Sequence, residues 1–237
     1  MKNKWFIGLI LAVFVVISAG SVYAQDSYNF ELTEGFAFSE ATDNWSIDIS
    51  LPAVSGMADE TEQAELNQYI LSQKDSMLED YSQNVLSAEQ SVKEGYDPHF
   101  SYQYSWNIVT DNDDYYVFRI TLFYVSASAT ELNEYFNLDK KTGKLLHFED
   151  VVASPEQFES IRGQILDQMT KMNEDSQKEF GADVFWTDDD TLNTAFGILP
   201  TLNHWYYNPD NHLVITFDKY EIAPGVMGSP EFEVSLD

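Results

Sequence analysis

Four histidines, 40 carboxylates and no cysteine are the side chains with which this 237-residue chain could do acid–base or metal chemistry. His99, His147, His204 and His212 lie in or beside strand-like runs, never at the i, i+4 spacing that puts two imidazoles on one helical face. His204 and His212 fall across an expected hairpin and could approach each other, but no third ligand is marked, so no metal is assigned. Asp111-Asn112-Asp113-Asp114 and Asp188-Asp189-Asp190 are calcium-like in composition alone. Both lack the glycine and the bidentate glutamate of an EF-hand loop. Turn chemistry accounts for these runs, with weak calcium binding left open. There is no cysteine nucleophile, serine elbow, phosphate loop or dinucleotide fingerprint, so no cofactor and no catalytic residue is expected. Glu231 and Glu233, the carboxylates with the most apolar flanks, alternate with Phe232 and Val234 and should face solvent. The chain is read as a non-enzyme, with an envelope hydrolase using an unrecognised carboxylate pair as the alternative.

The second stretch with a specified shape is residues 220–234, where Pro224-Gly225 and Gly228-Ser229-Pro230 interrupt two strand-like runs. Proline fixes φ and glycine permits φ > 0, so Pro224-Gly225 reads as the central pair of a type II turn, with a second bend at Gly228 and Pro230. Backbone specification of this density is costly for a mere connection, which makes the loop a candidate for presentation to a partner. Tyr220, Ala223, Pro224, Gly225, Val226, Gly228 and Pro230 are the expected ligand-binding residues.

The elements that must position this loop are legible from periodicity. Tyr28-Phe30-Leu32 and Trp45-Ile47-Ile49-Leu51 alternate as strands, with Pro52 expected to stop the second and Trp45 expected in the core. Residues 59–85 change period: Leu66, Ile70, Met77 and Tyr81 form one helical face. Tyr102-Tyr104-Trp106-Ile108, Tyr116-Phe118-Ile120-Leu122-Tyr124 and residues 135–138 then predict an antiparallel meander, whose middle strand has apolar residues on both faces and so should be central. Ser154-Pro155-Glu156-Gln157 combines a cap, an N1 proline and a capping-box glutamine. It opens a predicted helix to about Phe180, with Phe158, Ile161, Ile165, Met169 and Met172 as its buried stripe. Residues 204–207 and 212–219 form a hairpin leading into the loop. The expected fold class is α+β: mostly antiparallel sheets, each covered by an amphipathic helix, in two tightly associated subdomains with a boundary near residues 151–155.

Hydrophobic residues make up 44% of the chain and aromatics 15%, enough for a packed core. Lys2 and Lys4 precede an apolar run over residues 5–17 and then small residues ending Val22-Tyr23-Ala24, which reads as a signal peptide, or an N-terminal anchor if uncleaved. An extracytoplasmic location follows. Removing Lys2 and Lys4 from the 12 basic residues leaves ten against 40 acidic ones, a net charge of −30. Nucleic acid and anionic membrane surfaces would be repelled, leaving membrane contact only to the N-terminal segment, and a cationic protein would be steered in.

The segment Tyr220-Glu221-Ile222-Ala223-Pro224-Gly225, continuing to Gly228 and Phe232-x-Val234, resembles the C-terminal domain of RsiV-type extracytoplasmic proteins. Residues 135–151, with Asn137-Leu138-Asp139 and Thr142-Gly143-Lys144, resemble its join to a PdaC-type domain, named for a peptidoglycan deacetylase. The resemblance implies three segments: 1–24 as signal peptide, 25–150 as a PdaC-type N-terminal domain and 151–237 as an RsiV-type C-terminal domain. It further implies a cell-envelope binding module whose partner is a lysozyme-like muramidase, or peptidoglycan. A sigma-factor role is not expected, because only residues 1–4 precede the apolar run.

Overall fold

A computed structural model of the chain describes residues 27–236 apart from Ala127 and Leu202, and the expected signal segment lies outside them. Two antiparallel strands open the fold, β1 (Glu31–Ala41) and β2 (Trp45–Ser55). Helix α1 (Glu60–Lys93) follows, started by Asp59, whose carboxylate accepts from the N–H groups of Thr61 at 2.7 Å and Glu62 at 3.3 Å. It returns the chain to the end of the sheet where β2 began. Strand β3 (Phe100–Asp111) therefore pairs parallel to β2, as a helical crossover requires. The remaining pairings, through β4 (Tyr115–Val125), β5 (Ala129–Asp139) and β6 (Lys144–Leu146), are antiparallel, giving one mixed six-stranded sheet in the order β1 to β6.

Helix α1 runs eight residues beyond its expected end, because Ala88 continues the buried stripe of Leu66, Ile70, Met77 and Tyr81. Its Asn67 side chain locks it to β2, donating to the Val54 carbonyl at 2.9 Å and accepting from the Val54 N–H at 2.7 Å. Under it, Ile47, Ile49, Leu51, Phe118, Ile120, Phe136 and Leu138 are buried. Two expectations are corrected in β2. Pro52 does not end the strand: it faces Glu34 at a bulge in β1, where the ladder is already irregular and no donor is missed. Trp45 is half-buried, at the strand end, stacked on Phe100 at 5.9 Å between centroids.

The other face of β4 and β5 carries the second core. Short helix α2 (Phe148–Val151) leads to α3 (Pro155–Phe180), capped by Ser154 accepting from Gln157 N–H at 3.2 Å. Gln157 reaches back to the N–H of Ala153 at 2.9 Å, one residue before the cap. The stripe of α3 is Ile161, Ile165, Met169, Asn173 and Ser176; Met172, expected inside, is exposed, because the one-in-four spacing passes through polar Asn173. Helix α4 (Asp189–Ile198), capped by Asp188, precedes a three-stranded antiparallel sheet of β7 (Trp205–Tyr207), β8 (Leu213–Thr216) and β9 (Glu231–Val234). This sheet remains separate from the first and meets it through side chains. Tyr115 stacks on Tyr207 at 4.0 Å, Tyr135 stacks on Tyr206 at 4.5 Å, and both tyrosines of the second pair donate to Glu231. The fold is α+β. The sequence-expected central strand, β4, is buried on both faces through Tyr116, Val117 and Phe118.

Candidate functional site

Strand β8 gives way at Phe217 to a loop that returns at β9, and the loop's two ends are fastened: Phe217 N–H donates to the Pro230 carbonyl at 3.0 Å. Inside it Ile222 and Ala223 are buried, and the Ile222 carbonyl accepts from Trp186 N–H at 2.8 Å. Trp186 is itself placed from α3. Buried Asn173 donates to the Phe185 carbonyl and accepts from the N–H groups of Val184 and Phe185, all at 2.8–2.9 Å. A polar residue in a helix stripe thus anchors the segment on which the loop rests.

The loop's tip is a 3-10 turn over Gly225–Met227, closed by Met227 N–H to the Pro224 carbonyl at 2.9 Å. The expected type II turn is corrected: Pro224 has its φ of −57° and ψ of 146°, but Gly225 is not left-handed. Glycine leaves room there for the exposed Tyr220 ring, whose far end would lie 2.3 Å from a Cβ and would have to swing aside. The left-handed glycine is Gly228, at φ 68°. Of the seven expected binding residues, Ala223 and Pro230 are buried as the loop's base, Pro224 and Gly225 are half-buried, and Tyr220, Val226 and Gly228 are exposed. Val226, at the apex, is 92% exposed.

Between the loop and α4 lies a groove of about 430 Å³ lined by Trp186, Thr191, Thr194, Ile198, Tyr220 and Glu221, among others. Trp186, Ile198 and Tyr220 are all exposed in it. Tyr220 reaches it from a left-handed backbone, φ 74°, that aromatic residues rarely adopt.

The same bend gathers ionisable groups. Glu221 Oε2 accepts from Asp218 N–H at 2.7 Å, and Glu221 N–H donates to the Asp218 carbonyl at 3.1 Å, so the two carboxylates turn toward one side. His204, whose carbonyl accepts from Thr216 N–H, brings its imidazole there: one ligand atom from each of His204, Asp218 and Glu221 lies within 4.8 Å of the others. Burial pushes the Asp218 carboxyl up to about 6, with Glu131 and Glu134 adding repulsion. Burial also raises Glu221 and lowers His204. His212 does not approach His204; its ring pairs with Glu233 at 2.6 Å in solvent. Asp218 and Glu221, which do meet His204, carry no mark of it in residue type alone. The available signal was the Asp218-x-x-Glu221 spacing just past the strand that pairs with β7. Glu231 and Glu233 face outward as expected.

The site is thus a backbone-specified loop, rigid at its base and apolar at its apex, on an α+β scaffold. Residues 148–237 match the family described as "Protein of unknown function (DUF3298)". Over 196 residues the chain is 30% identical to the anti-sigma-V factor RsiV of Bacillus subtilis (strain 168), covering 82% of this chain and 64% of that relative's length. The two matches together support an RsiV-type C-terminal domain here. A crystal structure of a DUF3298 family member from Bacteroides fragilis NCTC 9343 superposes with a TM-score of 0.52 at 11% identity, over 87% of this chain and 90% of that one, a likeness of fold.

Proposed function

We propose that this chain is an exported cell-envelope binding module that grips a cationic, lysozyme-like muramidase through the 223–230 loop. The observation that carries the reading is Val226, almost wholly exposed at the tip of a loop whose base is buried and hydrogen-bonded at both ends. An apolar apex carried on a fastened base loses less freedom on binding than one on a loose loop, which is what a loop built for recognition needs. Charge supports the choice of partner: 40 acidic residues against 12 basic ones attract a basic protein. The similarity to an anti-sigma-V factor supports the envelope setting, and the resemblance of the 220–234 segment to lysozyme-sensing proteins supports the ligand. The role is binding rather than catalysis, and capture of the hydrolase would shield the cell wall.

Calorimetric titration with a chicken-type lysozyme at moderate salt, followed by a muramidase assay of the mixture, tests it. Stoichiometric binding with loss of activity is the expected result. Absence of binding would remove the muramidase as ligand, and peptidoglycan fragments would be the next titrant.

A further inference from the structure

We infer that His204, Asp218 and Glu221 form a binding site for one divalent transition-metal ion of the zinc class. The site is convergent: a donor atom from each side chain lies within 4.8 Å of the other two. His204 Nε2 stands 3.5 Å from Asp218 Oδ2, beyond the roughly 2.7–3.2 Å of a good N–H···O bond. That separation is instead the edge of a coordination tetrahedron, since two ligands about 2.1 Å from a metal lie about 3.4 Å apart. The imidazole side chain is 9% exposed and points into the cluster, where this carboxylate is its ion-pair neighbour.

The charges around it have no basic counterpart. Among the described residues no lysine or arginine pairs with Asp218 or Glu221, and Glu131 and Glu134 add further negative charge nearby. Lys219, between the two carboxylates in sequence, turns away: its Nζ donates to the Ala129 carbonyl at 2.6 Å and lies 5.1 Å from the Tyr220 ring centre. Asp218 accepts a backbone hydrogen bond from Asn133, but two partly buried carboxylates side by side are further stabilised by a cation between them or by protonation. One imidazole with two carboxylates favours zinc or manganese over calcium, which takes oxygen donors alone.

The supporting shell is in place. Asp218 N–H holds Glu221 Oε2, and the left-handed Tyr220 between them sets the angle at which both carboxylates face His204. Glu221 also lines the groove beside Trp186 and Tyr220, which supplies an entry path and a direction for a fourth, exchangeable ligand. A bound ion would tie the start of β7 to the root of the 220–230 loop. This inference stands apart from the muramidase reading, because it concerns the loop's root and not its apex.

The test is titration of the chelator-treated full-length chain with Zn2+ and Co2+, followed by calorimetry, thermal unfolding and visible absorption. One equivalent should bind, raise the melting temperature and give the intense d–d bands of a low-symmetry Co2+ site. Glu221→Gln and His204→Asn should each weaken binding at least about tenfold, whereas His212→Asn should leave it unchanged. Failure of both metals to bind, binding that survives both ligand substitutions, or loss only in His212→Asn would overturn the site. Should the substitutions unfold the chain, paramagnetic broadening of the His204 ring resonances in the unaltered Co2+ protein would uphold it. Broadening confined to His99, His147 or His212 would overturn it.

Discussion

The side-chain oxygen of Asn137 accepts a hydrogen bond from the backbone N–H of Tyr207 at 2.9 Å, inside the seam between the two sheets. Its amide donates in turn to the Trp205 carbonyl at 3.0 Å, so one buried residue of β5 satisfies both backbone groups that β7 turns toward it. Asn137→Ala strands two buried polar groups and should cost about 1–3 kcal/mol for each one left unmatched. Urea denaturation of the variant measures this, and an unchanged midpoint would mean that the seam is held elsewhere.

Phe118→Ala removes a fully buried ring between α1 and the sheet and should cost ~3–5 kcal/mol. Trp45→Ala, at a half-buried strand end, should cost clearly less despite the larger side chain. Equal losses in paired unfolding curves would contradict the placement of Trp45.

Val226→Ser should leave the melting temperature almost unaltered, because the valine touches little in the free protein. The same substitution should weaken muramidase binding. Gly225→Val should damage binding differently, by forcing Tyr220 out of the groove and tilting the apex. Full affinity in folded Val226→Ser would remove the apex from the recognition surface.

Acid should selectively loosen two helices. Backbone N–H groups of Thr61 and Thr191 hold the Asp59 and Asp188 carboxyls below the usual carboxylate range. A carboxyl whose folded pKa is depressed contributes stability above its unfolded value, and that contribution disappears as pH falls through the folded one. Asp188→Ala should therefore be less stable than the parent at neutral pH and should converge with it in strong acid. A gap that stays constant from about pH 6 to about pH 2 would mean that the carboxylate charge is not what stabilises α4.

Association with a basic partner should slow as salt is added, since steering by 40 carboxylates is screened beyond about 10 Å at ~0.1 M ionic strength. Stopped-flow mixing with lysozyme over a salt series reads this directly. An on-rate indifferent to salt would separate the charge from recognition.

Periodicity alone located α1 and α3, because each buries one face with a clean period, Leu66-Ile70-Met77-Tyr81 in the first and Ile161-Ile165-Met169 in the second; the β3 to β5 meander was legible from its alternating aromatic and aliphatic residues. The expected cap Ser154 marks a real helix start, whereas Asp188, read from the sequence as turn chemistry, also caps a helix, α4. What escaped was long-range. The parallel β2–β3 pairing depends on where a 34-residue helix ends, not on either strand's composition. Asn173 and Asn137 look like surface residues until their backbone partners are placed against them. His204 meets Asp218 and Glu221 only after a non-glycine residue, Tyr220, takes a left-handed conformation that no residue-type preference forecasts. The loop itself was legible from its prolines and glycines, yet the reason for Gly225 was steric rather than torsional.

Among the described residues, strand β1 forms one border of the six-stranded sheet, no strand pairs with its outer side, and most of its residues are exposed. Glu31, Glu34 and Glu40 punctuate that border, and the bulge at Gly35 breaks its regular ladder. Charges and irregularities of this kind discourage strand-by-strand stacking of one molecule on the next. Copies of the chain can therefore crowd together without edge-to-edge polymerisation along this border, and a partner would approach by side-chain surfaces and loops rather than by extending the sheet here.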